Sequence, residues 1–210
     1  MAVKTYISTK KTRQKINDGA DLIVSDEERG ILNRIDQLRD PSQYNYLSGE
    51  ELRYLLNPDP DCVVADFGSG TGFYTDEIAP VVGTAYAIDD LEQMHAEYRE
   101  CGMPSNVEPI VSDFAETPLK TNELDGAIST RTFHHGFETA LDEVARVMRP
   151  GGRFVIMDWS ATGAGERDTP VEEEYFDLAT VQSLLIDSGF EIRSAQERRE
   201  TFAIVAVRRD

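Results

Sequence analysis

Residues 63–72 read Val-Val-Ala-Asp-Phe-Gly-Ser-Gly-Thr-Gly. A short apolar run that ends in alternating glycines predicts a buried strand followed by a tight turn into a helix. Glycines let the backbone of such a turn approach a ligand, because no Cβ atom is in the way. The carboxylate of Asp66 would repel a phosphate and attract an ammonium or sulfonium group. The spacing therefore favours a cationic ligand over the pyrophosphate that a G-x-G-x-x-G turn binds.

Short apolar runs alternate with amphipathic segments from residue 62 onward. The predicted strands are 62–67, 84–89, 107–111, 124–129, 152–159, 190–195 and 202–207, and the predicted helices are 73–82, 91–101, 137–148 and 178–188. Because helices connect most of these strands, we predict an α/β fold with a doubly wound, mainly parallel sheet of seven strands. Only a few polar residues separate the last two runs, so that the final strand should be antiparallel.

Two further helices are predicted ahead of the first strand. They begin at Ser25 and Ser48, each with a glutamate three residues later, a pattern typical of a capping box. The stretch 57–60, Asn-Pro-Asp-Pro, should end the second helix. We therefore predict an N-terminal helical extension over residues 1–60, which starts with a polar and basic segment, and one α/β domain over 61–210.

Acidic residues also lie at or just after the carboxyl ends of the next two predicted strands, as Asp66 does near the end of the first. Asp89 ends the second strand, with Asp90 as the alternative, and a carboxylate there can accept from both hydroxyls of a ribose. Asp113 and Phe114 follow the third strand, where an acid and a ring suit an adenine. Parallel strands end at one edge of the sheet, so we expect these acids to form one ligand site there.

The central part of the chain, residues 63–157, resembles the core of a class I S-adenosylmethionine-dependent methyltransferase. The resemblance is carried by VVADFGSGTGFYT, AIDD, SDF and LDEVARVMRPGGRFVIMD. It implies a Rossmann-like sheet with strand order 3-2-1-4-5-7-6 and S-adenosyl-L-methionine as the cofactor. The implied cofactor-binding residues are Asp66, Gly68, Ser69, Gly70, Thr71, Gly72, Asp89, Asp90, Asp113, Phe114, Ser129 and Thr130, with Ser129 or Thr130 beside the methyl group.

Within this superfamily the stretch STRTFHHGFETALDEVARVMRPGG is similar to the UbiE-like branch, which implies a small-molecule acceptor. Arg131-Thr132-Phe133 departs from the pattern of quinone C-methylating enzymes. Residues 129–132, Ser-Thr-Arg-Thr, lack the Asn/Asp-Pro-Pro-aromatic motif of enzymes that methylate nucleic-acid amino groups. We therefore expect neither a nucleic acid nor a membrane as partner, and a homodimer stays open.

Methyl transfer to oxygen or nitrogen needs a proton acceptor, and candidates follow the fourth and fifth strands. They are His134, His135 and Asp158. Each histidine could equally line the next helix as a structural residue. His95 is predicted to lie on the surface. Arg131 could bind an acidic substrate or pair with a surface carboxylate.

Two segments could close the site. By the resemblance, the N-terminal helices bring Tyr44 and Tyr46 toward an acceptor pocket that Trp159 helps to form. The loop 160–174, rich in Gly, Asp and Glu, could be a lid or an ordinary solvated loop.

The charge balance is strongly acidic, with 39 Asp and Glu against 21 Lys and Arg, only five of them lysine, for a net charge of −18. Such an acidic, lysine-poor composition resembles that of proteins from halophilic microbes, and we expect a halophilic source. No segment is long and apolar enough to span a membrane or to act as a signal core, which favours a cytoplasmic protein. Cys62 and Cys101 are predicted to be buried, reduced thiols, and no metal site is expected.

Two other function classes stay open. A nucleotide-sugar or NAD enzyme would share the fold but not the glycine spacing. A non-catalytic module that binds S-adenosylmethionine would share both.

Overall fold

The computed structural model describes residues 35, 37–163 and 175–210. Seven strands form one sheet in the order β3-β2-β1-β4-β5-β7-β6. Strand β7 is antiparallel to both β5 and β6, and the other neighbours are parallel. The predicted fold class, strand order and reversed last strand are therefore confirmed. The strands are β1 Val63–Phe67, β2 Thr84–Asp89, β3 Val107–Val111, β4 Leu124–Thr130, β5 Met148–Trp159, β6 Phe190–Glu197 and β7 Thr201–Arg208.

The helices of the described residues flank this sheet. They are α1 Gly49–Leu56, α2 Thr75–Ile78, α3 Glu92–Cys101, α4 Leu141–Val147 and α5 Leu178–Asp187, with 3-10 turns at Pro41–Asn45, Ala79–Val81, Phe133–His135 and Phe137–Ala140. The helix predicted over 73–82 is much shorter, because Pro80 has no N–H group with which to continue it. The helix predicted over 137–148 begins as a 3-10 turn, and Met148 already belongs to β5.

Helix α1 begins as its sequence predicts. The Oγ atom of Ser48 accepts a hydrogen bond of 3.1 Å from the backbone N–H of Glu51, and Asn57 ends the helix in a left-handed conformation. The helix predicted at Ser25 lies outside the described residues. The boundary between residues 60 and 61 stays a prediction.

The core consists of two apolar layers, one on each face of the sheet. In β4, for example, Ala127 packs in one layer and Ile128 in the other. Burial on both faces explains why the strands are continuously apolar in sequence. Because β1, β2, β4 and β5 pair in parallel, their carboxyl ends lie at one edge of the sheet.

Two predictions about single residues are wrong. His95 is fully buried rather than on the surface, because it lies on the same face of α3 as Tyr98, three residues on, and that face packs against the sheet. Burial lowers the pKa of His95, which favours the neutral ring. Cys101, expected to be buried, is exposed at the end of α3, and Cys62 is half-buried. Neither of them forms a disulfide among the described residues.

No helix among the described residues is long and apolar enough to cross a membrane.

Candidate active site at the carboxyl edge of the sheet

The glycine-rich turn after β1 is anchored to both neighbouring strands. The N–H groups of Gly68 and Ser69 donate to the carbonyl oxygen of Ile88, at 2.9 and 3.0 Å. Gly68 has a φ of +80°. A Cβ atom there would lie 2.0 Å from Oγ1 of Thr132, beyond the end of β4. Only glycine fits, so the turn is held tightly between β2 and the segment that follows β4.

Asp66 is buried beneath this turn, with 1% of its surface exposed. Its Oδ2 atom accepts a hydrogen bond of 2.6 Å from the hydroxyl of Thr75. Its Oδ1 atom has no hydrogen-bond partner among the described residues. Burial, together with the nearby charge of Asp89, raises the pKa of Asp66 to about 7. A cationic ligand would offset that penalty.

Asp89 connects the end of β2 to the glycine turn. One carboxylate oxygen accepts from the N–H of Gly70 at 2.9 Å, and the other accepts from the N–H of Leu91 at 3.0 Å. The neighbouring Asp90 is exposed. The backbone thus orients Asp89 rather than Asp90 toward the turn.

Asp113 and Phe114 lie at the end of β3. Asp113 is exposed and accepts from the N–H of Ala115 at 2.8 Å. The half-buried ring of Phe114 packs against that of Phe137, with 5.5 Å between ring centres. A ring held in this way can cover one face of a planar ligand.

A histidine just past β4 and an aspartate near the carboxyl end of β5 form a buried pair. Nδ1 of His134 lies 2.7 Å from Oδ1 of Asp158, and the two side chains are only 5% and 2% exposed. Asp158 also accepts from the N–H groups of Phe133 and Trp159, each at 2.6 Å. These donors fix the carboxylate, and the carboxylate in turn fixes the imidazole. When the neutral ring has its proton on Nδ1, Nε2 is the nitrogen that accepts a proton.

His135 is placed differently from His134. It is exposed, and its ring centre lies 4.0 Å from that of His134. The ring of Tyr175 also packs against that of His134, with 5.3 Å between ring centres. Of the three predicted proton acceptors, the structure therefore brings His134 and Asp158 together in one hydrogen-bonded pair.

A cavity of about 600 Å³ opens at the same edge of the sheet. Its lining includes Tyr44, Tyr46 and Ser48 from the N-terminal side and Arg198 and Thr201 from the β6–β7 turn. The ring of Tyr46 meets that of Trp159 edge to face, with 4.8 Å between ring centres. Trp159 directly follows Asp158 in β5, and neither Asp158 nor His134 lines this cavity. The greater part of the predicted lid, residues 164–174, lies outside the described residues.

Comparison with known proteins identifies this part of the chain. Residues 65–156, which include the glycine turn, Asp89 and His134, match the family model of the methyltransferase domain. Over this stretch the chain is similar to a methyltransferase domain. Its strand order is that of its structural neighbours among S-adenosylmethionine-dependent methyltransferases.

Three relatives illustrate the range of similarity to this methyltransferase domain. A methyltransferase structure from Aquifex aeolicus has a TM-score of 0.73 and 28% identity, and covers 83% of this chain and 96% of its own. Rice 24-methylenesterol C-methyltransferase 2 is 29% identical over 60% of this chain and 36% of its own length. The demethylmenaquinone methyltransferase of Corynebacterium kroppenstedtii is 32% identical over 51% of this chain and 46% of its own length. The chain thus spans less than half the length of these two curated relatives.

S-adenosylmethionine is the cofactor of this methyltransferase domain, and the residues at the glycine turn fit it. Besides Oδ1 of Asp66, the hydroxyls of Ser69, Thr71 and Ser129 are buried and have no hydrogen-bond partner among the described residues. Thr130, next to Ser129, is buried as well. One carboxylate and several hydroxyls suit a ligand that has both cationic groups and hydrogen-bonding groups.

Several residues that shape the candidate site could not be identified from the sequence. Thr75 donates to Asp66, and Thr132 packs against Gly68. Arg39 donates to the carbonyl oxygen of Thr71 and pairs with Asp76. Periodicity does not reveal these contacts, because they join elements that are distant in sequence.

We expect Asp66 to make cofactor binding dependent on pH. With a pKa of about 7, its carboxyl group is mainly neutral at pH 6 and ionised at pH 8. S-adenosylhomocysteine has a protonated amine that favours the ionised form, so we expect its affinity to rise about tenfold from pH 6 to pH 8. In the protein without ligand, ionisation of the buried Asp66 disfavours the folded state. The free energy of unfolding therefore falls as the pH rises through 7, whereas the affinity for the ligand rises.

Titration calorimetry at the two pH values measures this change, and Asp66→Asn is the control that should lose it. An affinity of the unsubstituted protein that is flat between pH 6 and pH 8 would contradict the role given to Asp66.

The two acids after β2 should differ in their effect on the cofactor. Replacement of Asp89 by alanine removes the acceptor of the Gly70 N–H and should weaken S-adenosylhomocysteine binding by about 1–3 kcal/mol. The exposed Asp90 provides the matched control, and Asp90→Ala should leave affinity within about 0.5 kcal/mol. Calorimetry on both variants checks this, and the reverse result would assign the ribose to Asp90.

Proposed function

We propose that the chain transfers the methyl group of S-adenosylmethionine to a small-molecule acceptor with an O–H or N–H group, and that His134 accepts the acceptor's proton. The observation that carries this proposal is the buried pair of His134 and Asp158, 2.7 Å apart, at the sheet edge that also holds the glycine turn. A base in this arrangement is oriented by its carboxylate and stabilised when it becomes charged.

Each of these residues would have a separate role in the proposed methyl transfer. The bound cofactor supplies a methyl group that its sulfonium already activates. The acceptor heteroatom would bond to the methyl carbon as the methyl–sulfur bond breaks, with the electron pair left on the sulfur of S-adenosylhomocysteine, and the acceptor's proton would pass to Nε2 of His134. The positive charge that forms on the ring is stabilised by Asp158, which touches the other ring nitrogen. Trp159 and Tyr46 would exclude water from the acceptor side.

The cofactor would lie along the carboxyl ends of β1, β2, β3 and β4. We propose that Asp66 and the turn residues Gly68, Ser69, Gly70, Thr71 and Gly72 hold the methionine end, and that Asp89 binds the ribose. Asp113 and Phe114 would contact the adenine, and Ser129 or Thr130 would lie beside the methyl group. This arrangement uses the buried hydroxyls that have no partner among the described residues.

The proposal of a small-molecule acceptor is supported by relatives named for sterol and menaquinone methylation. It agrees with the resemblance to the UbiE-like branch and with a net charge of −18, which disfavours nucleic acid and anionic membranes as partners. A cytoplasmic location and a homodimer stay predictions.

Label transfer tests the proposed function. The protein is incubated with S-adenosylmethionine that has a tritiated methyl group, together with a whole-cell extract of the source organism. We expect the label in small molecules, in step with S-adenosylhomocysteine release, and none in the DNA, RNA or protein fractions. Cofactor binding without transfer to any fraction would identify a non-catalytic module instead.

We also propose a halophilic origin, for which the composition of the chain is the support. Thirty-nine carboxylates on 210 residues repel one another, and salt at molar concentration screens that repulsion to within about 3 Å. The melting temperature should therefore rise steadily as potassium chloride increases from 0.1 to about 2 M. Scanning calorimetry measures it, and equal stability in dilute buffer would rule out this adaptation while leaving the enzymatic proposal intact.

A further inference from the structure

Arg39, which precedes the sheet in the chain, contacts the glycine turn from its outer side. Its guanidinium donates to the carbonyl oxygen of Thr71 in the turn, 32 residues later. The same guanidinium forms an ion pair of 3.2 Å with Asp76 in α2, and the two side chains are 28% and 35% exposed. One arginine thus connects the N-terminal part of the described chain to the turn and to the helix that follows it.

Asp76 is held by a second side chain as well. The hydroxyl of Tyr98 donates to its Oδ1 atom at 2.7 Å, whereas Arg39 contacts the Oδ2 atom. The ring of Tyr98 is fully buried against the turn, and a Cβ atom built on Gly72 would lie 2.1 Å from its Cζ atom. Arg39, Asp76 and Tyr98 therefore form one chain of contacts that encloses the second half of the turn, from the carbonyl of Thr71 to Gly72.

The two halves of the turn are fixed by different groups. In the first half, the N–H of Ser69 donates to β2 at 3.0 Å, and in the second half the N–H of Gly72 donates back to the carbonyl of Ser69 at 2.8 Å. The carbonyl of Thr71 accepts from the side chain of Arg39. Thr71 also has a buried hydroxyl without a hydrogen-bond partner among the described residues. The contact with Arg39 thus orients a residue whose hydroxyl is available to a ligand.

We propose that Arg39 is a positioning residue for the cofactor, because its bond to the carbonyl of Thr71 keeps the second half of the glycine turn in the shape that receives S-adenosylmethionine. A turn with three glycines has many accessible conformations, and a binding site that is ordered in advance loses less entropy when the ligand binds. Arg39 does not need to touch the ligand for this effect. The inference rests on the proposed placement of the cofactor at this turn.

Arg53 provides a matched control, because it makes the same kind of contact with the next residue of α2. It forms an ion pair of 2.5 Å with Glu77, and the two side chains are 32% and 21% exposed. Its bond to the backbone, of 3.1 Å, goes to the carbonyl oxygen of Glu77 rather than to the turn. The two arginines therefore resemble each other in charge, exposure and helix contact, and differ in the contact with Thr71.

Titration calorimetry with S-adenosylhomocysteine compares Arg39→Met with Arg53→Met, at a temperature well below melting. Arg39→Met should bind about tenfold more weakly, the size of effect expected when a charge-assisted hydrogen bond is lost. Arg53→Met should bind within about twofold of the unsubstituted protein. Partly exposed ion pairs contribute little to stability, so both variants should have similar melting temperatures.

Hydrogen exchange of the unliganded protein measures the order of the turn itself. A peptide that spans residues 67–74 contains the N–H of Gly72, which is bonded within the turn. It should exchange faster in Arg39→Met and at an unchanged rate in Arg53→Met. A loss of affinity in Arg39→Met without faster exchange would mean that Arg39 contacts the ligand directly, and would overturn the positioning role.

Gly70→Val distinguishes a failure of this inference from a failure of the proposed cofactor site. Binding that is lost in Gly70→Val and unchanged in Arg39→Met would overturn the role of Arg39 and leave the cofactor at the turn. Unchanged binding in both variants would contradict the placement of the cofactor, and the inference with it. An equal loss of affinity in Arg53→Met would assign the effect to α2 as a whole rather than to the contact with Thr71, which also overturns the inference.

Discussion

Replacement of His134 by alanine is expected to lower kcat roughly 10²–10⁴-fold while S-adenosylhomocysteine binds as tightly as before. The reason is that Nε2 of His134 acts on the acceptor's proton, and this interaction matters in the transition state. Steady-state kinetics, calorimetry and thermal melting on the same preparation separate these quantities. A structural histidine would behave differently, since its loss would lower stability and harm binding and turnover together.

His95 provides a matched control for this experiment. It is a fully buried histidine on α3 outside the proposed proton path. His95→Ala should lower the melting temperature, and kcat per folded molecule should stay at the level of the unsubstituted protein. Full turnover in His134→Ala would remove His134 from the mechanism, and loss of turnover in His135→Ala alone would transfer the role to the neighbouring ring.

The second large effect is expected at the glycine turn. Gly70 has a φ of +52°, and a Cβ atom there would lie 3.3 Å from Cδ1 of Leu38. Valine would be strained and would obstruct the approach of the cofactor to the turn. S-adenosylhomocysteine at about 100 times its Kd should raise the melting temperature of the unsubstituted protein by roughly 5–10 °C. Gly70→Val should abolish that shift.

Gly102 separates strain from ligand binding in this experiment. It ends α3 with a φ of +98° and has no atom within 4 Å of a built Cβ. Gly102→Val should lower the melting temperature through backbone strain and keep the full ligand-induced shift. A full shift in Gly70→Val would show that the cofactor binds elsewhere.

The sheet could be predicted from the sequence because each of its determinants is local. Continuous apolar runs, three alternating glycines and the short connection before β7 define the strand types and the reversed last strand. The capping box at Ser48 needs only residues three apart. For the same reason Asp89 was identified as the end of β2 from sequence alone.

The parts that could not be predicted depend on contacts between distant elements. Thr132 meets Gly68 only when β1 and β4 are neighbours, and the hydroxyl of Thr75 reaches Asp66 across the turn. Sequence could not separate His134 from His135, because the 3-10 turn at Phe133–His135 decides which ring meets Asp158. His95 is a different case, since its spacing from Tyr98 already indicated the buried face of α3.

In the proposed reaction, His134 and the cofactor's methyl group face one acceptor from opposite sides. A crystal structure with S-adenosylhomocysteine measures this most directly, through the distance between the thioether sulfur and Nε2 of His134. An acceptor atom in line with the transferred methyl and hydrogen-bonded to the base requires a separation of about 5–7 Å across an open gap. We predict that distance, with the ligand's amine near Asp66 and its ribose on Asp89. A sulfur more than about 10 Å from Nε2, or protein atoms filling the space between them, would contradict the account.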